Sequence, residues 1–412
     1  MRTKTALGVG VLATAAITLA PVASAAATSA GPGATGGSVL YVAAKGKGSA
    51  CSRAKPCASI HQALAVARAG ATILVAPGTY KESVSISKKI RLVATGRGVV
   101  IDAAGKLNGI SLGLNLGGPK PAPVGNASGS VVAGFTVKNA IQEGIVAFGS
   151  HLSILNNVVT HNDLGATAPK PAGECAAEGQ VPGDCGEGLH LAGVTSSLLA
   201  NNSVTGNVGG MLVSDEFGPT AYNLIVHNSV VRNLPDCGIT LAAHNPKALS
   251  SAGKRQPGLG GVYRNTILGN VVNNNGAAGV GFFASGPGTG SYENLATGNF
   301  ISGNGIPGVA IHTHAPNSDA NGNRVIGNFF SHNGIGEGGK AAPGDPETPV
   351  NATTNIDVVA DHGATPISGT VIQRNVIANV TVGIWLVTNG HTQVNGNVFV
   401  NVKTKVKSQR QP

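Results

Sequence analysis

An asparagine ahead of a short Val-, Ile- or Phe-rich segment recurs along this chain, at Asn157, Asn202, Asn228, Asn270, Asn299, Asn328, Asn375 and Asn397. Five residues after the first six stands a second asparagine: Asn162, Asn207, Asn233, Asn275, Asn304 and Asn333. An earlier copy, GFTVKN, carries Gly134 and then Asn139, and the last two copies loosen, with Asn379 and Asn401 four residues on. A glycine and an alternating strand follow: GIVAF from Gly144, GLHLA from Gly188, GMLVS from Gly210, GITLA from Gly238, GVGFF from Gly279, GVAIH from Gly308 and GIWLV from Gly383, with NIDVV at Asn355 in the same slot. Two short strands per unit of roughly 22 to 29 residues, with no helix-period segment between them, cannot build a globular α/β unit. They suit a parallel β-helix, each coil lying on the last at about 4.8 Å. Recurring asparagines would then stack amide to amide at a buried bend, and the glycine would permit a positive φ at the next turn.

The stretch ASIHQALAVARAG, residues 58 to 70, predicts an amphipathic helix with Ile60, Leu64 and Ala67 on one side, covering the open end of the core. The stretch after it, ATILVAPGTYKESVSISKKIRLVATGRGVVIDA, supplies the first coils. The expected organisation is a signal peptide over 1–25, a flexible leader over 26–38, the β-helix over 39–405 and a solvated basic tail over 406–412. The signal reading rests on a basic start, a short apolar run and the Ala23-Ser24-Ala25 end. No later run is long and apolar enough for a membrane helix, so a secreted, monomeric protein is expected. With 61 Gly but only 11% charged residues and positive mean hydropathy, the composition is not that of a disordered chain. Export permits disulfides. Cys51 with Cys57 and Cys175 with Cys185 each flank a short loop, Cys237 is left over, and other pairings among the five stay open.

The segments YVAAKGKGSACSRAKPCASIHQAL and ILVAPGTYKESVSI, with the Asn-rich coils, resemble the right-handed parallel β-helix proteins of the pectin-lyase-like superfamily, including NosD-like repeat proteins, over residues 39 to 405. The resemblance implies an all-β solenoid. It does not fix a reaction, since its members include lyases, hydrolases, epimerases, esterases and proteins of no known activity.

Taking each glycine as a register mark, the next residue points inward: Ile145, Leu189, Met211, Ile239, Val280, Val309, Ile356 and Ile384. So does the third: Ala147, Leu191, Val213, Leu241, Phe282, Ile311, Val358 and Leu386. Both columns are wholly apolar, which supports one register for every coil. Outward positions then expose His312 and His314 to solvent, and the sixth position reads Ser150, Val194, Glu216, His244, Ser285, His314, Asp361 and Asn389. Glu216 with His244, and His314 with Asp361, sit one coil apart, with His190, Asp215, His312, Asp357 and His362 beside them. Three insertions join the same column and would wall a groove: the loop between Cys175 and Cys185, the segment after His244, and the segment before Asp357.

A paired imidazole and carboxylate suit abstraction of the proton next to a uronate carboxylate, the first step of elimination or C5 epimerisation. The expected catalytic residues are His244, His314, Asp361 and Glu216. Lys247, Lys254, Arg255, His190 and Asp357 are the expected substrate-binding residues. The formal charge of +10, about +8 without Arg2 and Lys4, fits an acidic polysaccharide or cell-wall glycan. Glu216 and Asp361, four coils apart or about 19 Å, are too distant for a glycosidase pair. The resemblance is partial at the site. Pectate lyases of this fold carry a WiDH strand, of which VVADHG keeps Asp361 and His362 without the tryptophan; pectin methylesterases match at PGTYKE and not beyond. Two other classes stand beside the enzyme. One is a metal-binding protein holding a divalent ion, calcium, zinc or copper, on His312, His314, Asp361 and His362, the copper association being implied by NosD-like relatives. The other is a noncatalytic glycan binder with Tyr222, Tyr263, Tyr292 or Trp385 against sugar rings, the tyrosines alternatively stacking on the solenoid. No nucleic-acid motif or aromatic platform is present.

Overall fold

The computed structural model describes residues 37–115, 122–167, 186–334 and 353–412. Cys175, Cys185, the signal peptide and the insertion from 335 to 352 lie outside the described residues. The chain winds into a right-handed parallel β-helix with three stacked faces, one a sheet of 12 strands and the other two merged into a sheet of 23. Every coil pairs in parallel with its neighbours, as in Val131–Ala133 on Ser153–Leu155 and Ile239–Ala243 on Val280–Ala284. Val, Ile, Leu and Phe from all three faces fill one continuous core.

The corners hold the coils in register. Asn270 is fully buried; its Oδ1 accepts from the backbone N–H and the amide of Asn228 at 2.8 and 3.0 Å, while its Nδ2 donates to Ile225 O and to Asn299 Oδ1. The same pattern runs from Asn157 to Asn397 and, at the next corner, from Asn162 through Asn333 to Asn355. Asn355 thus occupies the register-glycine slot and feeds its amide into the second ladder. A third ladder, not anticipated above, runs through Asn223, Asn265, Asn294 and Asn323 below Ser197. Asn379 and Asn401 bond each other and Ser331 instead of extending the second ladder.

The register glycines serve a different purpose from the expected one. None of Gly144, Gly188, Gly210, Gly238, Gly279, Gly308 or Gly383 has a positive φ. They are needed because the ladder packs against them: a Cβ on Gly238 would stand 2.5 Å from Val272 Cγ1 and 2.7 Å from both Asn275 Nδ2 and Gly279 O. Positive φ falls instead on the residue before the first ladder, including Asn156, Asn201, His227, Gly269, Gly298, Gly327 and Arg374.

The capping helix is shorter than the expected segment, Ile60–Val66. Ser59 accepts from Gln62 N–H, Gln62 Oε1 accepts from Ala58 N–H, and Glu82 takes the N–H groups of Ile60 and His61. It buries Ile60, Ala63 and Leu64 against the first strands. A Cys51–Cys57 disulfide ties the adjacent loop, and Cys237 is a buried free thiol. At the other end the expected basic tail is a strand: Val398–Gln409 pairs along Val376–Val387, and the Gln411 side chain donates to Asp361 O and Ala364 O. Alternation of Val with Lys403, Lys405 and Lys407 gives this segment a strand's period two.

Asn270→Ala should cost about 3 kcal/mol, since it strands buried donors and acceptors on both neighbouring coils, whereas Asn401→Ala should stay within about 0.5 kcal/mol. Gly238→Ala should cost about 2 kcal/mol while Gly258→Ala, with open space around it, is neutral. Urea unfolding of the four variants measures these differences.

Candidate functional site

The third face carries the titratable residues, and its pairing confirms the register read from the glycines: Leu189 lies on Met211, Met211 on Ile239, Val280 on Val309, Val309 on Ile356 and Ile356 on Ile384. One expected alignment slips. A bulge between Ala147 and Gly149 sets Val194 on Gly149 and Thr195 on Ser150, and Val194 turns into the core.

Both expected pairs form. His314 Nδ1 is 2.7 Å from Asp361 Oδ2, and each side chain is about a quarter exposed. His244 Nδ1 is 3.4 Å from Glu216 Oε1. Glu216 Oε2 also lies 3.9 Å from His190 Nε2, and His190 Nδ1 lies 3.1 Å from Glu143 Oε1, so Glu143, His190, Glu216 and His244 form a row across four successive coils. Ser214 Oγ is 2.8 Å from His190 Nε2. Glu143 and Glu187, each directly before a register glycine, were missed because the turn before that mark was not read as a column.

Outward direction does not mean exposure here. His312 and Asp357, expected at a solvated surface, are both fully buried and paired at 3.0 Å. Gly281 leaves a gap into which Phe283 folds, and the Phe283 ring packs at 5.4 Å from that of His312. Asp357 and His190 are therefore inside the protein wall, not on a substrate-facing surface. The expected metal set of His312, His314, Asp361 and His362 does not converge either: His312 Nε2 faces Asp357, His314 Nδ1 faces Asp361, and His362 is exposed. Among the described residues, the group whose ligand atoms lie within 4.8 Å of one another is Glu143, Glu187 and His190.

Asp215 is a fastener. Its carboxylate accepts the N–H groups of His244, Asn245 and Gly261, clasping both ends of the insertion 245–261. Burial raises its pKa despite these three bonds. The insertion's Arg255, expected to meet a substrate carboxylate, is held by Glu293 and Asp319 with its guanidinium 3.9 Å over the Tyr292 ring. Lys247 and Lys254 are exposed. Tyr263 and Tyr292 stack on each other at 5.1 Å and are buried on the solenoid, while Tyr222 meets Tyr263 edge-on and stays exposed.

Trp385 faces outward but is buried among Val359, Val382 and Val387, with Lys407 Nζ 5.7 Å from its ring centre. It helps line a cleft of about 450 Å³ with His314, Asp361, His362, Gln409 and Pro412. The last strand thus sets Lys407 beside Trp385, in the column of Asp357. Most of the chain's net positive charge lies elsewhere, in the first coils: residues 39–106 hold eleven Lys and Arg, ten of them exposed, against Glu82 and Asp102.

Burial pushes the Glu216 carboxyl up, but the charge of His190 and then the hydrogen bond and charge of His244 outweigh it and hold the carboxyl below its ordinary 4.5. A carboxyl that titrates lower in the folded state stabilises above the unfolded value and loses that contribution as pH falls through the folded one. Against Glu216→Gln, wild type should therefore keep a constant melting-temperature advantage down to about pH 5, and lose it progressively below about pH 4. Thermal unfolding across that range checks the sign.

Solved structures share the architecture. The A-module of the mannuronan C-5 epimerase AlgE4 from Azotobacter vinelandii superimposes with a TM-score of 0.54 at 15% identity, covering 90% of this chain and 100% of that one. Pectate lyase Pel9A superimposes with a TM-score of 0.50 at 18% identity, covering 83% of this chain and 80% of that one. Both likenesses are of fold. A search of curated protein sequences finds no match. The family model described as "Right handed beta helix region" matches residues 124–330, half of the chain, including coils that carry members of all three ladders. With its parallel faces, stacked asparagine corners and this match, the chain belongs to the right-handed β-helix family.

Proposed function

We propose that the third face binds an acidic polysaccharide outside the cell and abstracts the proton next to a uronate carboxylate, leading to elimination or C5 epimerisation. The carrying observation is the His314–Asp361 pair at 2.7 Å on the wall of a cleft. With Asp361 on Nδ1, the ring is oriented and its imidazolium stabilised, and proton transfer falls to Nε2. Lys407, alongside Trp385 of the cleft wall, would offset the charge developing on the substrate carboxylate. It takes the role first expected of Arg255. The printed names of the two similar structures, a C-5 epimerase and a pectate lyase, agree with a proton-abstraction chemistry on this architecture. The Glu216–His244 pair, separated from His314 by the Ser285 coil, offers a second acid–base couple along the same row. The signal peptide expected over residues 1–25 would bring the protein to an extracellular substrate.

On a panel of uronate polymers, unsaturated chain ends identify a lyase, and solvent deuterium taken up without cleavage identifies an epimerase. His314→Ala should lower kcat/KM by about a hundredfold or more, and Asp361→Asn by a smaller factor with a shifted pH profile. Lys407→Ala should lower kcat more than it raises KM. Wild-type protein inert on every uronate polymer, or His314→Ala as active as wild type, sinks this reading.

A further inference from the structure

We propose that Glu143, Glu187, His190 and Asp163 form a buried site for one structural divalent transition-metal ion, manganese or zinc. This stands independently of the polysaccharide reading, because the four residues are between 0% and 6% exposed and no polymer reaches them.

The geometry comes from the repeat. Glu143 and Glu187 occupy the same place on adjacent coils, each directly before a register glycine, and His190 follows two residues after Gly188. Their carboxylate oxygens and imidazole nitrogen converge within 4.8 Å of one another. Asp163 approaches from the preceding corner. Its Oδ2 accepts Val208 N–H at 3.0 Å, while its buried Oδ1 meets no hydrogen-bond donor. That orphaned oxygen lies 3.1 Å from where a Cβ would stand on Gly186, the residue adjoining Glu187, and Glu187 in turn packs against Gly209, the neighbour of Val208. Burial, and next the charge of Glu143, hold the Asp163 carboxyl well above the usual range.

Carboxylates gathered away from water are costly unless a cation compensates them. A divalent ion would engage both glutamates and His190 and draw in the Asp163 oxygen that meets no hydrogen-bond donor. Carboxylate oxygens alone favour calcium or magnesium; an imidazole nitrogen added to them shifts the preference to manganese or zinc. Ser214 Oγ on the opposite ring nitrogen of His190 would fix the ligand's orientation. The ion would tie two successive coils, Glu143 on one and Asp163, Glu187 and His190 on the next, where the titratable row begins.

The test uses the full-length protein. Metal analysis of material grown with both ions should find about one manganese or zinc per chain, and chelation should lower the melting temperature until either ion, not magnesium, is returned. Glu187→Gln should weaken metal binding about tenfold or more, while His314→Ala retains it. Asp163→Asn should leave the melting temperature of chelated protein close to that of wild type, because the buried carboxyl is held neutral there, yet diminish the metal-induced rise. Sub-stoichiometric metal with no thermal response to either ion, equal restoration by magnesium, or a Glu187→Gln variant that binds like wild type would each overturn the proposal.

Discussion

The buried corner amide governs this molecule. A chain that turns sharply three times per coil must leave peptide N–H and carbonyl groups at bends shielded from water, and each left unpaired would cost about 1–3 kcal/mol. Asparagine answers with one acceptor and one donor set of its own. Asn228, Asn270 and Asn299 each take the N–H of the coil before and hand an amide proton to the coil after. Since these bonds form in a single alignment, they lock the coils at the strand spacing and forbid slippage. Every column on the third face inherits its order from that lock.

Stacking converts remoteness in sequence into adjacency in space. Glu216 and His244 are 28 positions apart and His314 and Asp361 are 47 apart, yet each pair touches, because the intervening residues complete one circuit. The same mechanism assembles the Glu143–His190–Glu216–His244 row from four successive coils. A rigid scaffold of this kind fixes such groups by backbone position, which favours a reaction that depends on orientation.

Much of this was legible beforehand, and the failures have a common cause. The apolar columns headed by Ile145 and Ala147 and the pairs at the sixth position followed from period-two alternation and the glycine mark. Periodicity reports which way a side chain leaves the backbone, not what lies over it, so His312 and Asp357 were expected in water when Phe283 and its neighbours enclose them. The third asparagine ladder escaped notice because its members follow Tyr222, Arg264, Glu293 and Gly322, residues with nothing in common but their corner. Arg255 was expected at the substrate because a loop arginine looks available until Glu293 and Asp319 are seen beside it. The C-terminal lysines were taken for a tail although their alternation with valine already spelled a strand.

The clasp made by Asp215 reaches beyond its own coil. By gripping the N–H groups on both sides of the insertion, it returns the backbone to the solenoid at the separation an ordinary short turn would give. The two ends of the loop therefore stay fixed while Arg255 carries its contacts to the coils alongside, and loop closure grows only slowly more costly with length. The exposed part of such a loop can change its contents, and with them whatever it recognises, as long as the clasp and the Arg255 anchor remain.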